Sequence, residues 1–250
     1  MKKIFITGAS SGIGESLARH YAREGCQLGL VARRADWLEK VAASMTPRPE
    51  IYVCDVRDAD GLKSAARQFI DKHGLPDVVI ANAGVSRGTL TEMAEDLGAF
   101  QEVFDINVMG MVNTFHPFVD AMKSNGGGTL VGIASVAGFR GIPGGGAYSA
   151  SKAAAISYCE SLRVELRGSG VSVVTLCPGY IRTPMTAVNK FKMPFLIDVD
   201  EASVRFARAI AAKKSFTVIP WTMGIAGRIL RVLPNWLYDR VFQIMPRKPR

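Results

Sequence analysis

Short, nearly continuous runs of Val, Ile and Leu alternate with helical patterns almost end to end, and this alternation limits the folds open to the chain. Strand-like runs fall at Lys3–Thr7, Gln27–Ala32, Ile51–Asp55, Val78–Ala81, Thr129–Ala134, Val171–Leu176 and Phe216–Ile219. Helical patterns fall at Gly12–Glu24, Ala35–Met45, Asp60–His73, Phe100–Lys123, Tyr148–Arg167 and Glu201–Lys213. Strands apolar at nearly every position, rather than at every second one, are covered on both faces. Gly25, Gly74 and the run Gly126 to Gly128 stand where helices would stop. Repeated strand–helix units of this kind predict an α/β fold with a doubly wound, mostly parallel sheet of seven strands and helices on both faces. At 250 residues and 48% hydrophobic content, one sizeable core can form. No linker, repeat or low-complexity stretch marks a second domain, so residues 1–250 are expected to form one.

The first strand runs into Thr7-Gly8-Ala9-Ser10-Ser11-Gly12-Ile13-Gly14, which opens the first helix. Glycines let the backbone turn tightly and approach a pyrophosphate, and a helix N-terminus offers free N–H groups to its charge. The spacing is G-x-x-x-G-x-G. Set at strand one and helix one of a Rossmann-type sheet, it predicts a dinucleotide site. A carboxylate at the end of the second strand would suit the ribose 2′-hydroxyl of NAD, whereas an arginine suits the 2′-phosphate of NADP. Here Ala32 is followed by Arg33 and Arg34. The nearby acid, Asp36, is assigned to capping the helix that begins at Trp37. The cofactor expected is therefore NADP(H), bound through Arg33.

Tyr148 and Lys152 lie four residues apart, hence one above the other on a helix. An ammonium beside a phenol favours the phenolate and is expected to lower its pKa from about 10, so that it can pass protons near neutral pH. Ser135 stands thirteen residues upstream of the tyrosine, at a strand's carboxyl end.

Taken together, these motifs resemble the short-chain dehydrogenase/reductase family in its compact single-domain form. The resemblance rests on the Thr7–Gly14 loop, Asn82-Ala83-Gly84, Asn107, Ser135, Tyr148-x-x-x-Lys152, and Pro178-Gly179 followed by Ile181-Arg182-Thr183. It spans residues 1 to about 185 in order. Two positions depart from the pattern: Ala81 replaces a frequent second asparagine, and Ser11 replaces a basic residue frequent in NADP-preferring members. The resemblance implies that Tyr148 is the general acid in carbonyl reduction and the base in alcohol oxidation. It implies that Lys152 tunes it and binds the nicotinamide ribose, and that Ser135 stabilises the substrate oxygen. Asn107 would distort its helix and hold a water of the proton relay. Asp55 and Val56 would contact adenine, and Asn82, Ala83 and Gly84 would pack beside the adenosine ribose. Pro178, Gly179, Ile181 and Thr183 would shape the nicotinamide pocket. In the family, the stretch corresponding to Pro184–Asp198 covers the pocket as a lid, and family members are usually dimers or tetramers.

That lid carries Met185, Val188, Phe191, Met193, Phe195 and Leu196, which favours an apolar, lipid-like ketone or aldehyde, although lids are also generically apolar because they exclude water. The chain holds 31 Lys and Arg against 22 Asp and Glu. Residues 202–250 hold ten of the former and one acid, Asp239, so the excess charge lies wholly in the tail. The tail also carries Trp221, Ile225, Ile229, Trp236, Val241, Ile244 and Met245, with Pro234 interrupting the pattern. Two readings stand: a pair of short interfacial helices making peripheral membrane contact over about 220–250, or an apolar surface packed against the core or a sister subunit. The longest uncharged run in this segment, Ser215 to Gly227, is thirteen residues, short of the roughly twenty that span a bilayer. The terminal Arg247-Lys248-Pro249-Arg250 is too short to define a nucleic-acid site.

Four scattered cysteines read as small buried thiols, Cys54 and Cys177 in particular, and three scattered histidines give no metal site. The apolar start breaks on Gly8 too soon for a signal peptide, which makes a cytoplasmic protein the expectation. The expected activity is NADP(H)-dependent reduction of a ketone or aldehyde, reversible to oxidation of a secondary alcohol. A nucleotide-sugar epimerase would need a larger C-terminal domain than the roughly 65 residues after Pro184 provide. A non-catalytic nucleotide-binding scaffold would have no need of Asn107, Ser135, Tyr148 and Lys152 together.

Overall fold

The computed structural model describes residues 1–189 and 191–243. In chain order, β1 (Lys3–Thr7), α1 (Gly12–Arg23), β2 (Gln27–Ala32), α2 (Ala35–Ala43), β3 (Glu50–Val53) and α3 (Ala59–His73) form the first half of the fold. The second half continues with β4 (Val78–Ala81), α4 (Asp96–Phe104), a π-helical turn (Asp105–Met109), α5 (Gly110–Ser124) and β5 (Gly128–Ile133). A 3₁₀ turn (Val136–Gly138), α6 (Gly146–Glu165) and β6 (Val171–Pro178) follow. Then come β7 (Ile181–Arg182), α7 (Pro184–Ala187), β8 (Ile197–Asp198), α8 (Val199–Ala211), β9 (Phe216–Ile219), α9 (Trp221–Val232) and α10 (Asn235–Phe242).

Seven strands pair in parallel, as the sequence predicts, and their order is β3-β2-β1-β4-β5-β6-β9. Alternation along β1 explains both layers. Ile4 and Ile6 face one way, into a core with Leu17 of α1, Leu38 of α2 and Phe206 of α8. Phe5 faces the other way, against Phe69 of α3 and Phe118 of α5, with ring centroids 5.7 and 5.0 Å away. These side chains are fully buried, and each contributes about 2–3 kcal/mol through removal from water.

Three expectations need correction. The helix predicted from Phe100 to Lys123 is divided: it starts earlier, at Asp96, and one π-helical turn separates α4 from α5. Asp36 does not cap α2. The helix begins one residue before it, Arg34 holds the N-cap position, and Asp36 sits in the first turn, where its charge favours the positive helix end. Cys54 is only partly buried, whereas Cys177 is fully buried. In the tail, two helices flank Pro234 as anticipated, while Ile244, Met245 and the terminal Arg247 to Arg250 lie outside the described residues, as does Lys190 of the lid segment. Among the described residues no helix is long and apolar enough to cross a membrane.

Candidate active site

The strand order reverses between β1 and β4, and the loops leaving their carboxyl ends part there. A crevice of about 330 Å³ opens at this edge, within the range of small-molecule sites. One end is the β1–α1 loop. Gly8 and Gly12 hold φ of +68° and +60°, a region that side chains avoid. A Cβ at Gly8 would also lie 2.6 Å from the Ala83 backbone. Asn82 fixes this approach by donating its amide to the carbonyls of Thr7 and Gly8 at 3.2 and 3.0 Å. Ser11, the N-cap of α1, makes no side-chain capping bond, so the first-turn N–H groups are left to a ligand or solvent. A cradle of close backbone, small residues and free N–H groups fits a pyrophosphate.

Arg33 and Arg34 border the same end. Arg33 is half exposed and lies 3.5 Å from Asp55 Oδ2. Asp55 is gripped more closely by Arg57, through its backbone N–H at 2.9 Å and its guanidinium at 2.7 Å, which holds the carboxyl below its ordinary pKa. Arg34 donates to Ser10 Oγ and Ser11 Oγ at 3.2 and 3.1 Å and stacks over Trp37. A guanidinium thus stands against Ser11 from the start of α2, a juxtaposition that appears only once the two loops are side by side.

At the other end, Tyr148 and Lys152 rise from the first turns of α6, and both line the crevice with Ser135. The Ser135 hydroxyl lies beside Tyr148, accepts from Ala137 N–H at 3.1 Å and donates to the Pro178 carbonyl at 3.5 Å. Lys152 is buried and donates to the Ile133 carbonyl at 2.9 Å. Its Nζ stands 5.8 Å from the Tyr148 ring centre. The expected lowering of the phenol pKa is not found. Burial raises Tyr148, offset in part by Ser135, and burial lowers Lys152 to about 8. The ammonium is turned toward a backbone carbonyl, and loss of water is the largest influence on each group.

Asn107 does not line the crevice. It sits in the π-helical turn, buried, with Oδ1 accepting from Val85 N–H at 2.8 Å and Nδ2 donating to the Val85 carbonyl at 3.0 Å and Ser151 Oγ at 2.9 Å. It therefore ties the β4 loop to α6 between Tyr148 and Lys152. Gly14 likewise lies behind the loop, packed against the Gly8 carbonyl. Ser10, Gly12, Ile13, Val56, Ala83, Gly84, Pro178, Gly179, Ile181 and Thr183 all reach the crevice wall.

Gly138, which the sequence reading passed over, allows the 3₁₀ turn after Ser135 to touch α6; a Cβ there would lie 2.7–2.8 Å from the Lys152 and Ala153 backbone. Arg34 was named only as half of an arginine pair. Cys159 and Cys177, close to Lys152, are buried with thiols pushed up to about 12, so they are unreactive at neutral pH. Among the described residues, no group of three potential metal ligands gathers.

The short chain dehydrogenase family model matches residues 2–193. An uncharacterized oxidoreductase of Myxococcus xanthus is 38% identical over 239 residues, covering 94% of this chain and 93% of that protein. A solved alcohol dehydrogenase from the archaeon Thermococcus sibiricus, complexed with 5-hydroxy-NADP, is 31% identical with a TM-score of 0.76, over 88% of this chain and 96% of that one. A 3-ketoacyl-(acyl-carrier-protein) reductase from Brucella melitensis, complexed with NADH, shares the fold at a TM-score of 0.80 and 23% identity, over 87% and 96% of the two chains.

Proposed function

The chain belongs to the short-chain dehydrogenase family of oxidoreductases, and from that premise we propose that it is an NADP(H)-dependent reductase of apolar ketones or aldehydes, reversible to oxidation of secondary alcohols. The convergence of Ser135, Tyr148 and a buried Lys152 on one crevice, opposite the glycine loop, carries this reading.

NADPH, held by the β1–α1 loop with Arg33 and Arg34 at one end of the crevice, would supply the hydride for the carbonyl carbon. Tyr148 then donates its phenolic proton to the carbonyl oxygen, as a general acid. Ser135 turns its hydroxyl to that oxygen and stabilises the charge developing on it. Lys152 would hold the nicotinamide ribose and support the phenolate left behind. Asn107 is a positioning residue, holding the β4 loop against the turn of α6 that presents the pair.

The choice of NADP(H) is supported by Ala32 where an acid would serve NAD, and by Arg33 and Arg34 beside the phosphate loop. Asp55 is engaged by Arg57 and Arg33, which removes it as a free ribose acceptor. The complex of the archaeal relative with 5-hydroxy-NADP agrees with this choice. The exposed Met185, Val188 and Phe195 of the segment after Thr183 favour an apolar substrate.

An NADPH-oxidation screen over aliphatic, aromatic, steroid and thioester ketones, repeated with Tyr148→Phe, tests the assignment. Turnover is expected to fall by about 10²–10⁴ while NADPH binding persists, the range of a lost general acid. Retention of most of the activity would show that the proton comes from elsewhere.

A further inference from the structure

Helix α9 is built inside out. Its inward positions are glycines: a Cβ at Gly227 would strike the Phe139 ring, and one at Gly224 would press on Val218 at 3.2 Å. Four of its six large apolar side chains instead face solvent, while Met223 and Leu230 are partly buried. Trp221, Ile225, Ile229 and Val232 are 67%, 49%, 54% and 80% exposed, at a spacing that puts them on one stripe. Trp236 of α10 adds another exposed ring, at 69%. A helix packed on an ordinary core shows the opposite arrangement.

The stripe is held rigidly. Arg140 donates to the carbonyls of Leu230 and Leu233, the latter at 2.7 Å, and to Asn235 Oδ1 at 2.9 Å, and it stacks 3.9 Å over Tyr238. The Tyr238 hydroxyl returns a bond to the Gly141 carbonyl. Both helices are therefore fixed to the loop that follows Ser135. Arg228, Arg231 and Arg240 are exposed on them, against the one acid Asp239. The segment from 202 onward carries the entire positive excess of the chain.

We propose that the outer face of α9 and α10 docks on an anionic lipid bilayer, lying in its interface. Apolar side chains and tryptophans enter the boundary region while arginines meet the headgroup charge. Charge selects this occupant over a second copy of the chain. A two-fold pair would set this cationic face against itself, whereas an anionic leaflet complements it. The proposal stands apart from the reductase reading, since vesicle binding needs no turnover.

The test is co-sedimentation of the full chain with vesicles of phosphatidylglycerol and phosphatidylcholine in equal parts, and with phosphatidylcholine alone. The bound fraction is expected to fall about tenfold on the neutral vesicles, in Arg228→Gln/Arg231→Gln, and in Ile225→Gln/Ile229→Gln/Val232→Gln. These substitutions are at exposed positions, so circular dichroism and the thermal midpoint should hold. Should the triple variant lose its fold, quenching of wild-type tryptophan emission by brominated lipid in the anionic vesicles gives the same answer. Failure of the wild type to sediment, sedimentation of the triple variant like the wild type, or absence of quenching would overturn the proposal. A wild-type oligomer that becomes a monomer in the triple variant, without vesicle binding, would assign the face to a copy–copy contact and overturn it equally.

Discussion

Burial raises the Tyr148 phenol above its ordinary pKa, so the protein without ligand holds it as a proton donor. Oxidation of an alcohol needs the phenolate. The oxidative kcat/KM is therefore expected to climb roughly tenfold per pH unit through pH 7 to 9, while the reductive value stays level. A plateau in the oxidative direction below about pH 8 would mean that the bound complex brings the phenol down after all. Lys152 offers a separate measurement. Its folded pKa, about 8, is below the ordinary 10.5, so the unfolded chain binds more protons in that interval and stability rises with pH across it. The slope from this one group approaches about 1 kcal/mol per pH unit. Urea midpoints of wild type and Lys152→Met between pH 8 and 9.5 should diverge with that sign. Parallel curves would show that the ammonium is not desolvated in the fold.

At the scale of elements, three joints set the site. The π-helical turn carries Asn107 between Val85 and Ser151, the 3₁₀ turn brings Ser135 against α6 through Gly138, and Arg140 seats α9 and α10 on the loop between them. Each joins segments distant in sequence. Arg140 serves as a C-terminal cap for α9, because it occupies carbonyls that the last helical turn leaves without partners. Arg140→Met removes that cap and the stacking on Tyr238 and should cost about 1–3 kcal/mol. Hydrogen exchange should reveal faster opening of residues 221–242 with β1, β4 and β5 unchanged. Uniform loss of protection across the sheet would show that the two helices belong to the global folding unit instead.

At the scale of the molecule, ligand linkage reports the cofactor preference without any substrate. A ligand that binds only the folded state at a hundred times its Kd adds about 2.7 kcal/mol. For a chain of this length that raises Tm by roughly 5–10 °C. NADPH is expected to shift Tm by several degrees more than NADH at equal concentration, and Arg33→Glu/Arg34→Glu should remove the difference. A larger shift with NADH in the wild type would transfer the preference to NAD and leave the pair as a solvated turn. Light scattering would test the expected dimer or tetramer alongside.

Local order along the chain was enough to reveal the parallel sheet. Continuous Val, Ile and Leu runs can be satisfied only by cover on both faces, and glycines at the β1–α1 turn mark close backbone approach wherever that turn sits. Tyr148 and Lys152 were legible for the same reason, since helical spacing alone puts them on one face. What the chain could not disclose was any relation between distant segments in which a side chain's direction matters. Arg34 reaches Ser10 and Ser11 across the gap between two loops. Lys152 points to Ile133 rather than to the phenol, and four large side chains of α9 turn outward where Gly224 and Gly227 pack inward. Composition and spacing specify which groups are near in sequence. Only packing decides which of them lose water, and desolvation in turn decides their charge.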